Sequence, residues 1–195
     1  MAAVGSALSA WQYAENAIAH IFESIITDCR PKVEYVTREA EYMTPAERAY
    51  GSVVSFDGRA GMVEAAAEAF FEVHKNPQMH TRLKKLLQGC RGWSARRNEV
   101  AHGQIGGSPI DLNLCALWPW QSSMRKRAVD YRASFVYNSA QIKEFESQFF
   151  ALQEQLLDFW SDFRAWRQGP FEEGLGQTRE PPPDWEATQS GLQAS

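Results

Sequence analysis

Arg97, Asn98 and His102 stand within nine residues, in the stretch ARRNEVAHG that spans residues 95–103. An arginine carries a permanent, planar charge that suits a phosphate or the extra charge of a phosphorane. A histidine can move a proton at neutral pH, and an asparagine amide four residues away on a helix can orient the imidazole and select its tautomer. Gly103, which follows, leaves room for a backbone or a ligand to approach the ring. The bare spacing of an arginine and a histidine is common in a chain of this length. The context adds weight, because residues 79–98 hold Arg82, Lys84, Lys85, Arg91, Arg96 and Arg97 and no acidic residue. In a chain of net charge −4 this is a local reversal of sign, of the kind an RNA-binding surface uses. Arg125, Lys126 and Arg127 form a second basic cluster.

RRNEVAHG resembles the signature of HEPN domains, in which an arginine is followed by a polar residue, a few further residues and a histidine, often with glycine next. The resemblance in detail covers about ten residues, with looser architectural agreement over roughly 160. It implies an all-α bundle that dimerises so that two copies of the motif face one another. It also implies a metal-independent endoribonuclease in a toxin or defence role, with Arg97 and His102 as the catalytic pair, Asn98 as the supporting polar residue and no cofactor. The product would be a 2′,3′-cyclic phosphate. Arg82, Lys84, Lys85, Arg91 and Arg96 would hold the RNA. One branch of the family carries a tyrosine two residues after the histidine, a target of nucleotide transfer. Gln104 stands there in this chain, so that form of regulation is not carried over. An antitoxin or regulatory partner is not readable from one chain.

Two bland readings compete. A HEPN-like bundle can serve as a non-catalytic dimerisation or interaction module, with Arg97 or His102 merely favoured by the macrodipole at a helix C-terminus. A non-enzymatic RNA-binding protein would instead use Trp118 and Trp120 as stacking faces, although filling the gap between hairpin and helices is the plainer role for them.

The remaining histidines offer less. His20 lies between Ala19 and Ile21 inside an amphipathic run and reads as an ordinary helix histidine. His74 and His80 flank Asn76-Pro77 with no cysteine near and only Glu72 as a close carboxylate, so no metal site is expected there. Cys29, Cys90 and Cys115 are odd in number and far apart, which argues against a disulfide framework and for a reducing cytoplasm. Cys115, in an apolar stretch, reads as a buried and inert thiol. The N-terminal residues lack the basic and apolar regions of a signal peptide, and no apolar run is long enough to span a membrane.

Periodicity supplies the elements that must position the motif. The chain is 195 residues long, 44% hydrophobic and 23% charged, as expected of a globular domain. Leu8, Trp11, Ala14, Ile18, Ile21, Phe22, Ile25 and Ile26 recur at threes and fours, predicting a helix over 6–28 that ends before Pro31. TPAE at 44–47 forms a capping box with proline at the first helical position. Helix then continues to about residue 74, with Gly51, Gly58 and Gly61 as points where it can split. A further helix over 78–101 carries Leu83, Leu86, Leu87, Cys90 and Val100 on or near one face. Gly89 and Gly92 weaken it by about 1 kcal/mol each, favouring a kink near Trp93. It stops at Gly103, expected in the left-handed conformation, and GQIGGSP follows as loop. The period then changes to two in Leu112–Trp118 and Val129–Tyr137, predicting a β-hairpin over about 112–137. Asn138 or Ser139 caps a last helix whose stripe is Ile142, Phe145, Phe149, Leu152, Leu156, Trp160 and Phe163. The fold class is therefore an all-α, up-down bundle of four or five helices with a small inserted hairpin. It occupies residues 1–168, with a flexible Pro- and Gly-rich tail over 169–195.

Overall fold

The computed structural model describes residues 2–27, 44–107, 115–119 and 135–168. Five helices, α1 (Ala2–Ile26), α2 (Pro45–Ser52), α3 (Phe56–Val73), α4 (Pro77–His102) and α5 (Ser139–Gln168), surround one core, and two short strands, β1 (Gly103–Gly107) and β2 (Cys115–Pro119), follow α4. The tail and the basic cluster at Arg125–Arg127 lie outside the described residues, as does Trp120.

Side-chain contacts fix the direction of each helix. Ser6 donates to Glu146 at 2.5 Å and Trp160 Nε1 donates to Ser24 Oγ at 2.8 Å, so α1 and α5 run parallel. On α2, Glu47 sits beside His20 and Glu23, while the Tyr50 hydroxyl reaches the Glu15 carbonyl at 3.5 Å, which makes α2 antiparallel to α1. On α3, Phe56 packs edge-on against Trp11 at 5.0 Å, and Phe70 reaches Phe163 of α5 at 5.5 Å. Then α4 returns, with Arg82 on Asp162 and Trp93 against Phe149. Each helix thus reverses its predecessor. The up-down bundle expected from periodicity is the observed fold.

The helix ends follow local chemistry. Thr44 and Glu47 form the reciprocal capping box, with Pro45 at the first helical position. Ser55 caps α3 by accepting from Gly58 N at 3.1 Å, so the split falls at Val53–Ser55, between α2 and α3, rather than at a glycine. Asn138 caps α5, exchanging hydrogen bonds with Gln141 at 2.9 and 3.0 Å. Helix α4 runs unbroken through Gly89 and Gly92.

The apolar stripes meet in one core. Trp11, Ile18, Ile21, Leu83, Leu87, Val100, Phe149, Leu156, Phe159 and Phe163 are each at most 1% exposed. Ile26 departs from its expected place and is 49% exposed, one residue before the end of the described segment. Cys90 is fully buried, and burial pushes its thiol up to about 12. Cys115 corrects the expectation of a buried thiol: it is exposed, because β2 turns Leu117 and Pro119 inward and leaves Cys115 at its open end.

The hairpin also differs from expectation. Gln104 pairs with Trp118 and Ile105 with Leu117 in antiparallel register, so GQIGG, expected as loop, is a strand. Gly and Gln carry no alternating apolar signal, and only pairing with β2 makes this segment extended. Tyr137 bridges Leu117 through both backbone bonds, at 2.8 and 3.0 Å, which brings in the end of the expected partner run. The rest of that run lies outside the described residues.

One buried charge links α1 to α3. Glu15 is 4% exposed; it accepts from Trp11 Nε1 at 2.6 Å and pairs with Arg59 Nη1 at 2.5 Å. Arg59→Ala would leave that carboxylate unpaired inside the bundle, a loss of roughly 3 kcal/mol. Urea unfolding of the variant is expected to show it, and a loss below about 1 kcal/mol would contradict the assignment.

Candidate functional site

The RRNEVAH motif occupies the last two turns of α4, where the helix leaves the core and enters β1. Gly103, the C-terminal cap, has φ −75° and ψ 155°, so the chain passes straight into extended backbone, not into the expected left-handed conformation. Glycine is needed for another reason. A Cβ at this position would lie 2.6 Å from the Leu117 side chain and 2.8 Å from the Glu99 carbonyl. The Leu117 side chain, anchored in β2, closes onto the end of α4, and the space left open by Gly103 is filled from within the protein.

Within the motif, alternate side chains have different partners. Glu99 accepts from the Tyr137 hydroxyl at 2.6 Å and from Arg96 Nη1 at 2.7 Å, and Arg96 also donates to the Tyr137 hydroxyl. Burial, and then the hydrogen bond to Glu99, raise the Tyr137 pKa above its ordinary value, so the hydroxyl stays a donor. This triad ties the last turns of α4 to the segment that leads into α5. Val100 is buried beneath it.

Asn98 and His102 form the outward side, and Arg97 beside them is half-buried. Arg97 Nη1 donates to Asn98 Oδ1 at 3.0 Å, while its buried Nε has no hydrogen-bond partner among the described residues. Asn98 and His102 are both exposed. Among the described residues Asn98 is bonded to Arg97 and not to His102, so the expected orientation of the imidazole by the amide gives way to a brace on the guanidinium. Trp118, half-buried, has its Nε1 enclosed without a partner among the described residues, next to Gly106.

The basic run upstream is mostly neutralised by carboxylates of the flanking helices. Arg91 makes a bidentate pair with Glu64 at 2.7 and 2.8 Å, which holds the Glu64 carboxyl below its usual range. Lys84 meets Glu68 at 2.9 Å, Arg82 meets Asp162 at 2.5 Å and Arg96 meets Glu99. Lys85 and Arg97 meet no carboxylate among the described residues. The sequence window showed six cations without an acid because the acids come from α3 and α5, or follow directly at Glu99.

An open cleft of about 640 Å³ lies between α4 and α5. Gly89, Gly92, Trp93 and Phe145 line it, and Arg96, Tyr137, Gln141 and Glu144 supply its polar groups. Sequence reading missed this cleft. The two glycines one turn apart were the available signal, since they remove side chains beside Trp93.

No family model, no curated protein and no solved structure matches this chain. No helix among the described residues is long and apolar enough to cross a membrane.

The close approach at Gly103 gives a direct test. Gly103→Ala must displace Leu117 or the Glu99 carbonyl, an overpacking cost of about 1–3 kcal/mol. Its melting temperature is expected to fall by several degrees, and an unchanged melt would contradict the packing described.

Proposed function

We propose that the chain is a metal-independent endoribonuclease of HEPN type, working as a homodimer with Arg97, Asn98 and His102 at a composite site. The observation that supports this reading most is that Arg97 meets no carboxylate among the described residues. Its neighbours Arg82, Lys84, Arg91 and Arg96 are each matched to a carboxylate, whereas Arg97 is braced by a neutral amide beside an exposed histidine. An arginine held in place but not neutralised is suited to a phosphate. Lys85, also without a carboxylate, is the second RNA contact, and the paired cations border the path of the strand.

The chemistry follows from these groups. The RNA 2′-oxygen attacks the adjacent phosphorus, and the bond from phosphorus to the 5′-oxygen breaks. The products are a 2′,3′-cyclic phosphate and a free 5′-hydroxyl. His102 takes the proton of the attacking hydroxyl, and the partner subunit's His102 returns one to the leaving oxygen. Arg97 offsets the charge that gathers on phosphate. One imidazole cannot serve both transfers at once, and a two-fold axis doubles the groups. Cleavage that needs no cofactor fits a toxin or defence role.

His102 is exposed and carries no side-chain hydrogen bond among the described residues, so its removal should spare the fold. His102→Ala is expected to lower cleavage of labelled RNA in excess EDTA by about 10²–10⁴-fold, with an unchanged thermal melt. Cyclic-phosphate ends on the product would identify the reaction. Cleavage at the wild-type rate by the variant would overturn the assignment.

A further inference from the structure

We infer that His20, Glu23 and Glu47 form a binding site for a divalent transition-metal cation of the zinc type, which fastens α2 onto α1. One ligand atom from each of the three residues lies within 4.8 Å of the other two. A tetrahedral zinc ion with bonds of about 2.0–2.2 Å needs donors about 3.4 Å apart, a gap that small rotations of two glutamates close. One imidazole nitrogen and two carboxylate oxygens suit zinc, and water takes the fourth position.

The placement of the three residues is more specific than a chance cluster of acids. His20 and Glu23 are three apart on α1 and therefore share a face. Glu47 comes from the first turn of α2, on a separate stretch of chain. All three are partly buried. The His20 ring is stacked on Trp160 at 5.3 Å and 27°, which limits its rotation. The Glu47 carboxylate accepts from Thr44 N at 2.8 Å through Oε2, and this bond orients its other oxygen as an outer-shell partner would. Neither Glu23 nor Glu47 is ion-paired with a lysine or arginine among the described residues. Two carboxylates are thus brought together at the α1–α2 contact with no lysine or arginine of the described residues paired to them, and a divalent cation would supply that charge.

The site has a mechanical purpose in this fold. With eight residues α2 is the shortest of the described helices, and it packs mainly against α1. A cation shared between them ties the two helices together at the level of Glu23. This cation takes no part in the ribonuclease chemistry, since no residue of α1 or α2 belongs to the Arg97–His102 cluster.

Zinc titration of the full chain by calorimetry, after EDTA treatment and dialysis, tests the site. Binding of one zinc per chain at micromolar affinity is expected, with a rise of several degrees in melting temperature. Three substitutions separate ligation from folding. Glu47→Gln keeps the capping acceptor, His20→Phe keeps a ring on Trp160, and Glu23→Gln keeps the size of the side chain. Each is expected to weaken zinc binding at least tenfold while melting like the wild type without zinc. Absence of binding by the wild type below millimolar zinc would overturn the site. So would binding that all three variants retain, which would place the ion on other histidines or thiols.

Discussion

The Glu15 carboxylate is the constraint on which the arrangement of this bundle rests. A charge at that depth persists only because Trp11 donates to it from one side and Arg59 pairs with it from another. Those partners lie on α1 and α3, and Tyr50 of α2 closes over the adjacent carbonyl. Burial, followed by the charge of Glu15, raises the Tyr50 pKa, so its hydroxyl remains neutral at the junction. Trp11 then meets Phe56 and Phe149 edge-on, which brings α5 to the same level. A set of directional bonds in an apolar interior selects one register among helices that oily stripes alone would allow to slide.

With α1, α3 and α5 held parallel, α4 has one place to go, and its charges record it. Glu64 and Glu68 on α3 and Asp162 on α5 face its basic side. Pairs this exposed contribute little stability individually. Their consequence is electrostatic, since they pair Arg82, Lys84 and Arg91 and leave Lys85 and Arg97 as the lysine and arginine of α4 that meet no carboxylate among the described residues. The Arg96–Glu99–Tyr137 triad and Leu117 then hold the end of α4 against the hairpin. The motif divides in two: Arg96, Glu99, Val100 and Gly103 hold the fold together, and Asn98 and His102 are exposed beside the half-buried Arg97.

Much of this was legible in the residues. Threefold and fourfold spacing of Trp11, Ile18, Leu83, Leu87, Phe149 and Phe163 marks the buried faces, and TPAE announces a helix start, because both are local signals. What escaped the sequence depends on partners distant along the chain. GQIGG is a strand only because β2 lies beside it. Gly103 is required by Leu117, fourteen residues on. The neutralisation of the basic run was hidden for the same reason, since three of its four counter-charges lie on other helices. The approach of Glu47 to His20 and Glu23 likewise crosses a long connection.

The proposed sharing of the Arg97–His102 site between two copies is tested most directly by mixing wild-type protein with an excess of His102→Ala protomers. Once subunits exchange, each mixed dimer keeps a single His102, too few for the two proton transfers. If the two motifs face one another across a two-fold axis, RNA cleavage is expected to fall well below the activity of the wild-type protein added, as mixed dimers replace wild-type ones. A mixture that keeps the full activity of its wild-type share, under conditions where subunits exchange, would contradict a site shared between two copies.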